Sequence, residues 1–97
     1  MATYIVLGDW TEQGVANFEE TVDRYDAGLS QMEALGVTVK DRYWTLGGHD
    51  QVSVIEAPDD ETLAAAMLKV TALGNIRTTT LRAFSADEMR ALIAKTR

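Results

Sequence analysis

Hydrophobic and polar residues alternate along this chain with two different periods, and each change of period marks a boundary between structural elements. Four runs rich in β-branched and aromatic residues predict strands, because such side chains suit a pleated, half-buried surface. They cover residues 4–7, 37–45, 50–57 and 76–84. Between and after these runs, apolar residues return every three or four positions, which predicts helices over residues 12–35, 59–73 and 86–95.

Each of the two longer helices is predicted to carry one apolar stripe facing the sheet. The first stripe consists of Val15, Phe18, Val22, Tyr25, Leu29 and Met32. The second consists of Leu63, Met67, Val70 and Leu73. Gly14 and Gly28 interrupt the first helix, and each lowers its stability by about 1 kcal/mol relative to alanine.

The ends of the helices carry recognisable capping residues. Thr11 and Asp59 are predicted N-caps, since their side-chain oxygens can accept hydrogen bonds from the first free backbone N–H groups. Gly36 fits the left-handed position that closes a helix. Ser85 and Glu88 form a predicted capping box, in which each side chain satisfies the backbone N–H of the other.

The order of these elements predicts an α+β fold of the ferredoxin-like type, β-α-β-β-α-β, with an extra C-terminal helix. Residues 46–49 contain two adjacent glycines and are predicted to form the turn of a hairpin. The chain of 97 residues has the usual size of one domain, so we expect a single domain over residues 1–97. In this fold both helices cover one face of a four-stranded antiparallel sheet.

The other face of the sheet is also apolar. On the first strand, Ile5 and Leu7 point away from Tyr4 and Val6, and the third strand has the same two-sided pattern. An exposed apolar face of this kind needs a cover, and a second copy of the same sheet is the simplest one, so the pattern predicts a two-fold homodimer. The alternative is a monomer in which the final helix, residues 86–95, folds across the open face.

Charge and composition exclude several classes of function. Fifteen acids against nine bases give a net charge of −6, which disfavours nucleic acid and anionic membrane surfaces as partners. Without cysteine and with a single histidine, the sequence predicts no metal site and no cofactor. No apolar run approaches the roughly 20 residues of a membrane span, so we expect a cytoplasmic protein.

Three side chains are candidates for acid or base catalysis: His49, Asp50 and Tyr43. His49 is the single histidine and lies in the glycine turn beside Asp50. Neighbouring residues on an extended chain point to opposite sides, so Asp50 is not expected to orient His49. The sequence therefore favours a solvated turn histidine, with Asp50 accepting hydrogen bonds from backbone N–H groups.

Four further residues are candidates for ligand binding: Trp10, Trp44, Arg77 and Arg82. Either tryptophan can stack on a flat ligand, although burial in a core or dimer contact is the commoner use. Arg77 and Arg82 lie five residues apart on the fourth strand and therefore face opposite sides. One of them can bind a carboxylate or phosphate in the enclosed space, or both can form ion pairs with nearby acids.

Several sequence blocks, taken in order, resemble the GYD-domain family. They comprise residues 4–14, 43–50, 56–61 and 73–84, so the similarity extends over nearly the whole chain. This resemblance implies a ferredoxin-like fold related to dimeric α/β-barrel proteins. The turn here reads Gly48-His49-Asp50, where the family has Gly-Tyr-Asp, so a role of the tyrosine ring or hydroxyl does not carry over unchanged.

Three functions remain open from the sequence. The first is a homodimeric module that binds a small molecule or a partner protein, as the enclosed face and the scarcity of titratable groups indicate. The second is a cofactor-independent small-molecule enzyme of the isomerase or monooxygenase type, by analogy with dimeric α/β barrels. The third is a structural or assembly protein.

Overall fold

A computed structural model describes all 97 residues of the chain. The strands are β1 (Ala2–Trp10), β2 (Thr38–Trp44), β3 (Gln51–Ala57) and β4 (Ile76–Ala83). The helices are α1 (Glu12–Ala16), α2 (Thr21–Ala34), α3 (Asp60–Thr71) and α4 (Ala86–Lys95), and a short 3-10 turn, Phe18–Glu20, lies between α1 and α2. None of the helices has both the length and the apolar character required to cross a membrane.

The strands form one antiparallel sheet in the order β2-β3-β1-β4, which confirms the predicted ferredoxin-like α+β fold. In the register of the sheet, Tyr4 lies opposite both Ile55 and Arg82. The pairing of β2 with β3 shifts between Val39 and Asp41, so Lys40 occupies a bulge. The bulge reverses the alternation of the side chains along the rest of β2.

Helices α2 and α3 cover one face of the sheet, which we call the covered face. The core lies between this face and the two helices. It consists of Tyr4, Val6, Met32, Val37, Ile55, Ala57, Leu63 and Ala66. The opposite surface of the sheet is called the open face.

The predicted caps are present. The Gly14 N–H donates to Thr11 Oγ1 at 3.1 Å, and the Thr62 N–H donates to Asp59 Oδ1 at 2.7 Å. The bonds from Thr62 hold the pKa of the Asp59 carboxyl below its ordinary value. Gly36 has a φ of +86°, the left-handed conformation expected at the end of α2.

The first helical region differs from the prediction, because it is not one continuous helix. It breaks at Asn17, whose side-chain amide donates to the Gln13 carbonyl at 2.9 Å. The Asn17 carbonyl accepts from Arg24 Nη1 at 2.7 Å. Such local side-chain bonds compete with helical ones. As a result, the first half of the predicted stripe does not reach the core, and Val15, Phe18 and Val22 are half-exposed.

The predicted apolar stripe of α3 is confirmed for all of its residues except the last. Leu63 is buried, and Met67 and Val70 pack against the core. Leu73 was predicted to be buried but is 69% exposed, because α3 ends at Thr71 and Leu73 lies in the turn that follows. Ala66 takes the remaining buried position on α3.

Helix α4 does not cover the open face. None of its residues is buried, and Met89 and Ile93 on its apolar side remain about half-exposed. It has no extensive packing contact with any other element. The molecule is correspondingly elongated, measuring 51 Å along its longest axis and 18 Å along its shortest.

Candidate functional site

The open face presents a continuous apolar surface at its centre. The pairing of the strands places Ile5 directly between Val54 on β3 and Leu81 on β4. Leu7 lies opposite Val52 in the same way. Leu81 is 46% exposed, and the other four are only partly buried. Five neighbouring aliphatic side chains therefore remain accessible on a surface that no element of the chain covers.

Charged side chains surround this apolar centre. Lys40 Nζ lies 3.3 Å from Glu56 Oε1 near one end of the face. Near the other end, Asp9 lies opposite Arg77 in the β1–β4 pairing. An apolar centre with a charged rim is the usual composition of a protein interface.

No hydrogen bond joins any two of the three candidate catalytic residues. His49 Nδ1 lies 3.0 Å from Asp9 Oδ1, so its carboxylate partner is not Asp50. Asp50 Oδ2 accepts a hydrogen bond from the Trp10 backbone N–H at 2.9 Å. Tyr43 lies opposite Val52 at the edge of the open face and is largely exposed. The sequence could not indicate the His49–Asp9 pair, because the two residues are far apart along the chain.

The two candidate arginines lie on opposite sides of β4. Arg77 is exposed on the open face. Arg82 lies on the covered side, where its guanidinium carbon stands 4.5 Å from the Phe84 ring centre. Its Nη1 donates to the backbone carbonyl of Thr3 at 3.2 Å. Arg82 is therefore held by the aromatic ring and by backbone oxygens.

Beside Arg82, the Tyr4 hydroxyl donates a hydrogen bond to Asp60 Oδ1. This bond raises the pKa of the Tyr4 hydroxyl above its ordinary value. Tyr4 thereby connects the centre of the covered face to the first turn of α3 through a hydrogen bond.

A cavity of about 130 Å³ lies between α2, α3 and the covered face. Trp10 forms part of its wall, whereas Trp44 stands beside it. The Trp44 ring packs edge-on against Tyr25, with 6.1 Å between the ring centres, and Trp44 Nε1 donates to Thr21 Oγ1 at 3.1 Å. Of the four candidate ligand-binding residues, only Trp10 lines this cavity.

Arg42, the most unusual side chain of the cavity, was not among the candidate residues predicted from the sequence. Its Nη1 donates to Gln51 Oε1 at 2.9 Å, and its guanidinium lies over the Tyr25 ring at 4.2 Å. It has no carboxylate partner, since the ion pairs of the chain involve other residues. Desolvation lowers the pKa of the Arg42 guanidinium, although an arginine stays charged near neutral pH.

Two buried N–H groups in this region lack an acceptor. They are Arg42 Nε and Trp10 Nε1. A buried donor without an acceptor costs about 1–3 kcal/mol, and more when the group is charged. The cavity wall thus contains a partly buried guanidinium without a carboxylate partner and two unsatisfied N–H donors, one of which belongs to that guanidinium.

The β2 bulge explains why the sequence did not reveal Arg42. Val39 faces the helices, and regular alternation from Val39 would put Arg42 on the open face. The extra residue at Lys40 shifts the alternation, so that Arg42 pairs with the buried Ser53 on the covered face. A bulge depends on the pairing of two strands and leaves no clear local signal in β2.

The sequence matches the family model described as the GYD domain over residues 4–93. The chain belongs to the GYD domain family. This result confirms the resemblance seen in the sequence.

One relative of this GYD domain is the protein named "Glutamine synthetase and cystathionine beta-lyase binding protein" of Thermus thermophilus. The two sequences are 35% identical over 92 residues, which is 94% of this chain and 97% of the relative. Their similarity therefore extends over nearly all of the secondary structure described above.

Two solved structures are similar to this GYD domain. The crystal structure of FFRP-DM1 has a TM-score of 0.61 at 20% identity, with 87% of this chain and 100% of the other covered. The crystal structure of TTHA0845 from Thermus thermophilus has a TM-score of 0.57 at 26% identity, with 89% and 96% covered. The first similarity concerns the fold alone.

Proposed function

We propose that this GYD domain is a homodimeric module that binds a partner protein. The observation that carries the proposal is the uncovered apolar centre of the open face, formed by Ile5, Leu7, Val52, Val54 and Leu81. The name of the Thermus relative supports the binding role, because it describes that protein by what it binds.

A second copy of the chain is the occupant that best fits the open face. Two identical apolar surfaces related by a two-fold axis complement each other without a dedicated partner. The rim carries both signs of charge, with Lys40 and Glu56 near one end and Asp9 and Arg77 near the other. A two-fold axis can therefore bring unlike charges together around the apolar centre.

A different surface is available for the partner protein. Val15, Phe18 and Val22 are half-exposed on the α1–α2 side of the molecule, and we call them the helical patch. The acidic residues Glu19, Glu20 and Asp23 lie in the same segment and are exposed. We propose that the helical patch contacts a partner whose binding surface has an apolar centre and a basic rim.

The dimer is tested by the mass of the protein in dilute solution, measured by size-exclusion chromatography with light scattering. The wild type is expected to have twice the 10.7 kDa of one chain, and Val54→Asp is expected to have the mass of one chain. Val22→Asp is the matched control, since it adds the same charge outside the open face. A wild-type mass of one chain would refute the dimer, and larger assemblies would instead support a structural role.

Ionic strength provides a second check on the dimer. Each chain has a net charge of −6, so two copies repel each other at long range. At 0.1 M salt, interactions between charges farther apart than about 10 Å are largely screened, whereas the close charge pairs of the rim are screened less and the apolar contact is not weakened. We therefore expect the dimer to dissociate less as salt increases.

The partner role is tested with purified glutamine synthetase and purified cystathionine beta-lyase of Thermus thermophilus, each immobilised on a sensor surface. The Thermus relative named for these enzymes serves as the positive control. The wild-type GYD domain is expected to bind at least one of them, and Val22→Asp is expected to weaken that binding. If the Thermus relative binds and this chain does not, the proposal of a shared partner is wrong.

A further inference from the structure

We propose that the cavity between α2, α3 and the covered face binds a small carboxylate with an apolar body. The cavity contains a cation that no protein group neutralises, together with walls that are largely apolar. This proposal concerns a different part of the molecule from the open face and the helical patch. It therefore stands or falls independently of the proposed function.

The charge of the ligand follows from Arg42. A guanidinium removed from water is costly unless an anion or several acceptors compensate it. The chain has 15 acids, yet the only side-chain acceptor that Arg42 contacts is the neutral amide oxygen of Gln51. A carboxylate is the anion whose two oxygens match the parallel N–H groups of a guanidinium. Both residues with unsatisfied N–H groups line the cavity, so the proposed ligand would supply the acceptor that those groups lack.

The apolar body of the ligand follows from the remaining wall of the cavity. Aliphatic and thioether side chains from both helices and the sheet line it, among them Leu29, Met32, Val39, Met67, Val70 and Ile76. These groups offer no hydrogen bonds, so they favour a hydrocarbon portion over a second polar group.

The size of the ligand follows from the volume. A cavity of roughly 150 Å³ with apolar walls accommodates benzene. The present cavity, about 130 Å³, is slightly smaller, so a benzene-sized ring would nearly fill it, and its opening to solvent leaves space for a carboxylate attached to that ring.

The other cations near the cavity do not indicate a more highly charged ligand. Arg24 also borders the cavity, but its Nη1 donates to the Asn17 carbonyl at 2.7 Å and lies 3.9 Å from Glu20. Lys69 is exposed. Arg42 alone combines partial burial with the absence of an anionic partner, which matches a single negative charge.

The test is a titration of the ¹⁵N-labelled full chain with benzoate, followed by NMR. The chain has two tryptophans and therefore two indole N–H signals. The signals of Trp10 Nε1 and Arg42 Nε are expected to move in a saturable manner. The Trp44 indole is an internal reference and is expected to move less, because it already donates to Thr21 and does not line the cavity.

Benzamide is the matched neutral probe, since it has the shape of benzoate without its charge. It is expected to bind roughly 10- to 100-fold more weakly, the effect of losing a charge-assisted hydrogen bond. Equal binding of benzamide and benzoate would overturn the role of Arg42. No saturable shift with benzoate would overturn the site, and tighter binding of inorganic phosphate than of benzoate would overturn the apolar body.

The matched variants are Arg42→Gln and Arg90→Gln, which remove the same charge at different places. Arg90 lies on α4 beside Asp87 and is not part of the cavity lining. We expect Arg42→Gln to weaken benzoate binding roughly 10- to 100-fold and Arg90→Gln to leave it unchanged. Equal binding by both variants would contradict the proposal. If Arg42→Gln does not fold, the comparison of benzoate with benzamide on the wild type decides the question.

Discussion

Both faces of the sheet depart from the usual distribution of side chains, each in a different way. In an antiparallel sheet with helices on one side, the covered face is normally apolar and the other face polar. Here the covered face includes Gln51 and Ser53, which are 6% and 3% exposed, and the partly buried Arg42. The open face instead has Ile5 and Val54, with three further aliphatic residues around them.

This difference shows that each face lacks a different kind of partner. The open face lacks apolar contact, which a second copy of the chain supplies in the proposed dimer. The covered face has apolar contact but lacks acceptors, because Arg42 Nε and Trp10 Nε1 have none. Exposed apolar area and buried unsatisfied polar groups are both unfavourable in an isolated chain. The first is the basis of the proposed dimer, and the second is the basis of the proposed carboxylate site.

The largest effect is expected from adjacent alanine substitutions on the two faces. Ile55 is 1% exposed on the covered face, and Ile55→Ala should lower the free energy of unfolding by about 2–5 kcal/mol. Val54 points to the open face, and Val54→Ala should cost less than about 1 kcal/mol at concentrations where the chain is monomeric. Urea unfolding at two protein concentrations measures both effects.

The decrease in the free energy of unfolding caused by Val54→Ala should grow with protein concentration, whereas the decrease caused by Ile55→Ala should be large at either concentration. This follows because only the open face gains contacts on dimerisation in the proposed assembly. If both substitutions cost the same in the monomer, the open face is already covered within one chain and the contrast between the faces is wrong.

The features predicted correctly from the sequence depend on residues that are close together along the chain. The capping box is one example, because Ser85 and Glu88 lie three residues apart and each satisfies the other's backbone N–H. The presence of four strands also follows from local periodicity, although β1 runs from Ala2 to Trp10 and so continues past its predicted end at Leu7. The turn after α2 follows from Gly36. Both the ferredoxin-like fold and the two-sided apolar sheet could therefore be predicted.

The features that were missed depend on pairing between distant segments. The bulge at Lys40 arises where β2 meets β3, and it places Arg42 beneath the helices. The partner of His49 is Asp9, in a different strand. Single-sequence patterns do not contain such pairings, so the cavity became visible only in the structure. The break at Asn17 is the exception, since the bonds of Asn17 to Gln13 and Arg24 are local.

Two glycine substitutions, with a smaller expected effect on stability, test how tightly the atoms are packed at different places on the covered side. A Cβ at Gly14 would lie 1.8 Å from the Asn75 carbonyl oxygen, so Gly14→Ala forces the backbone apart and should cost about 1–3 kcal/mol. A Cβ at Gly28, on the α2 wall of the cavity, would meet no atom within 4 Å. Gly28→Ala should therefore stabilise the protein by up to about 1 kcal/mol, the difference in helix propensity. Thermal unfolding compares the stabilities of the two variants. A lower melting temperature for Gly28→Ala would show that the side of α2 facing the cavity has no space for an added methyl group.

The smallest expected effect is a pH-dependent change in the stability of α4. It tests whether this helix packs on the open face. The Ser85 backbone N–H donates to Glu88 Oε1 at 2.9 Å and holds the pKa of the Glu88 carboxyl below its ordinary value. A lowered pKa stabilises the folded helix above the ordinary glutamate pKa of about 4.3, and the stabilisation is lost as pH falls through the folded-state pKa. The protection of the first-turn amides of α4, that is, their exchange rates corrected for intrinsic pH dependence, should therefore decrease as pH falls through the folded-state pKa of Glu88.

Glu88→Gln is the control for this titration, because glutamine keeps the oxygen that accepts the Ser85 bond and does not titrate in this range. Its first-turn exchange, after correction for intrinsic rates, should lose the step seen in the wild type. The amides around Leu81 on the open face should not follow the Glu88 titration, since α4 has no extensive contact with the sheet. If they follow it with the same midpoint, α4 contributes to covering the open face, and the second copy is no longer needed to explain its apolar centre.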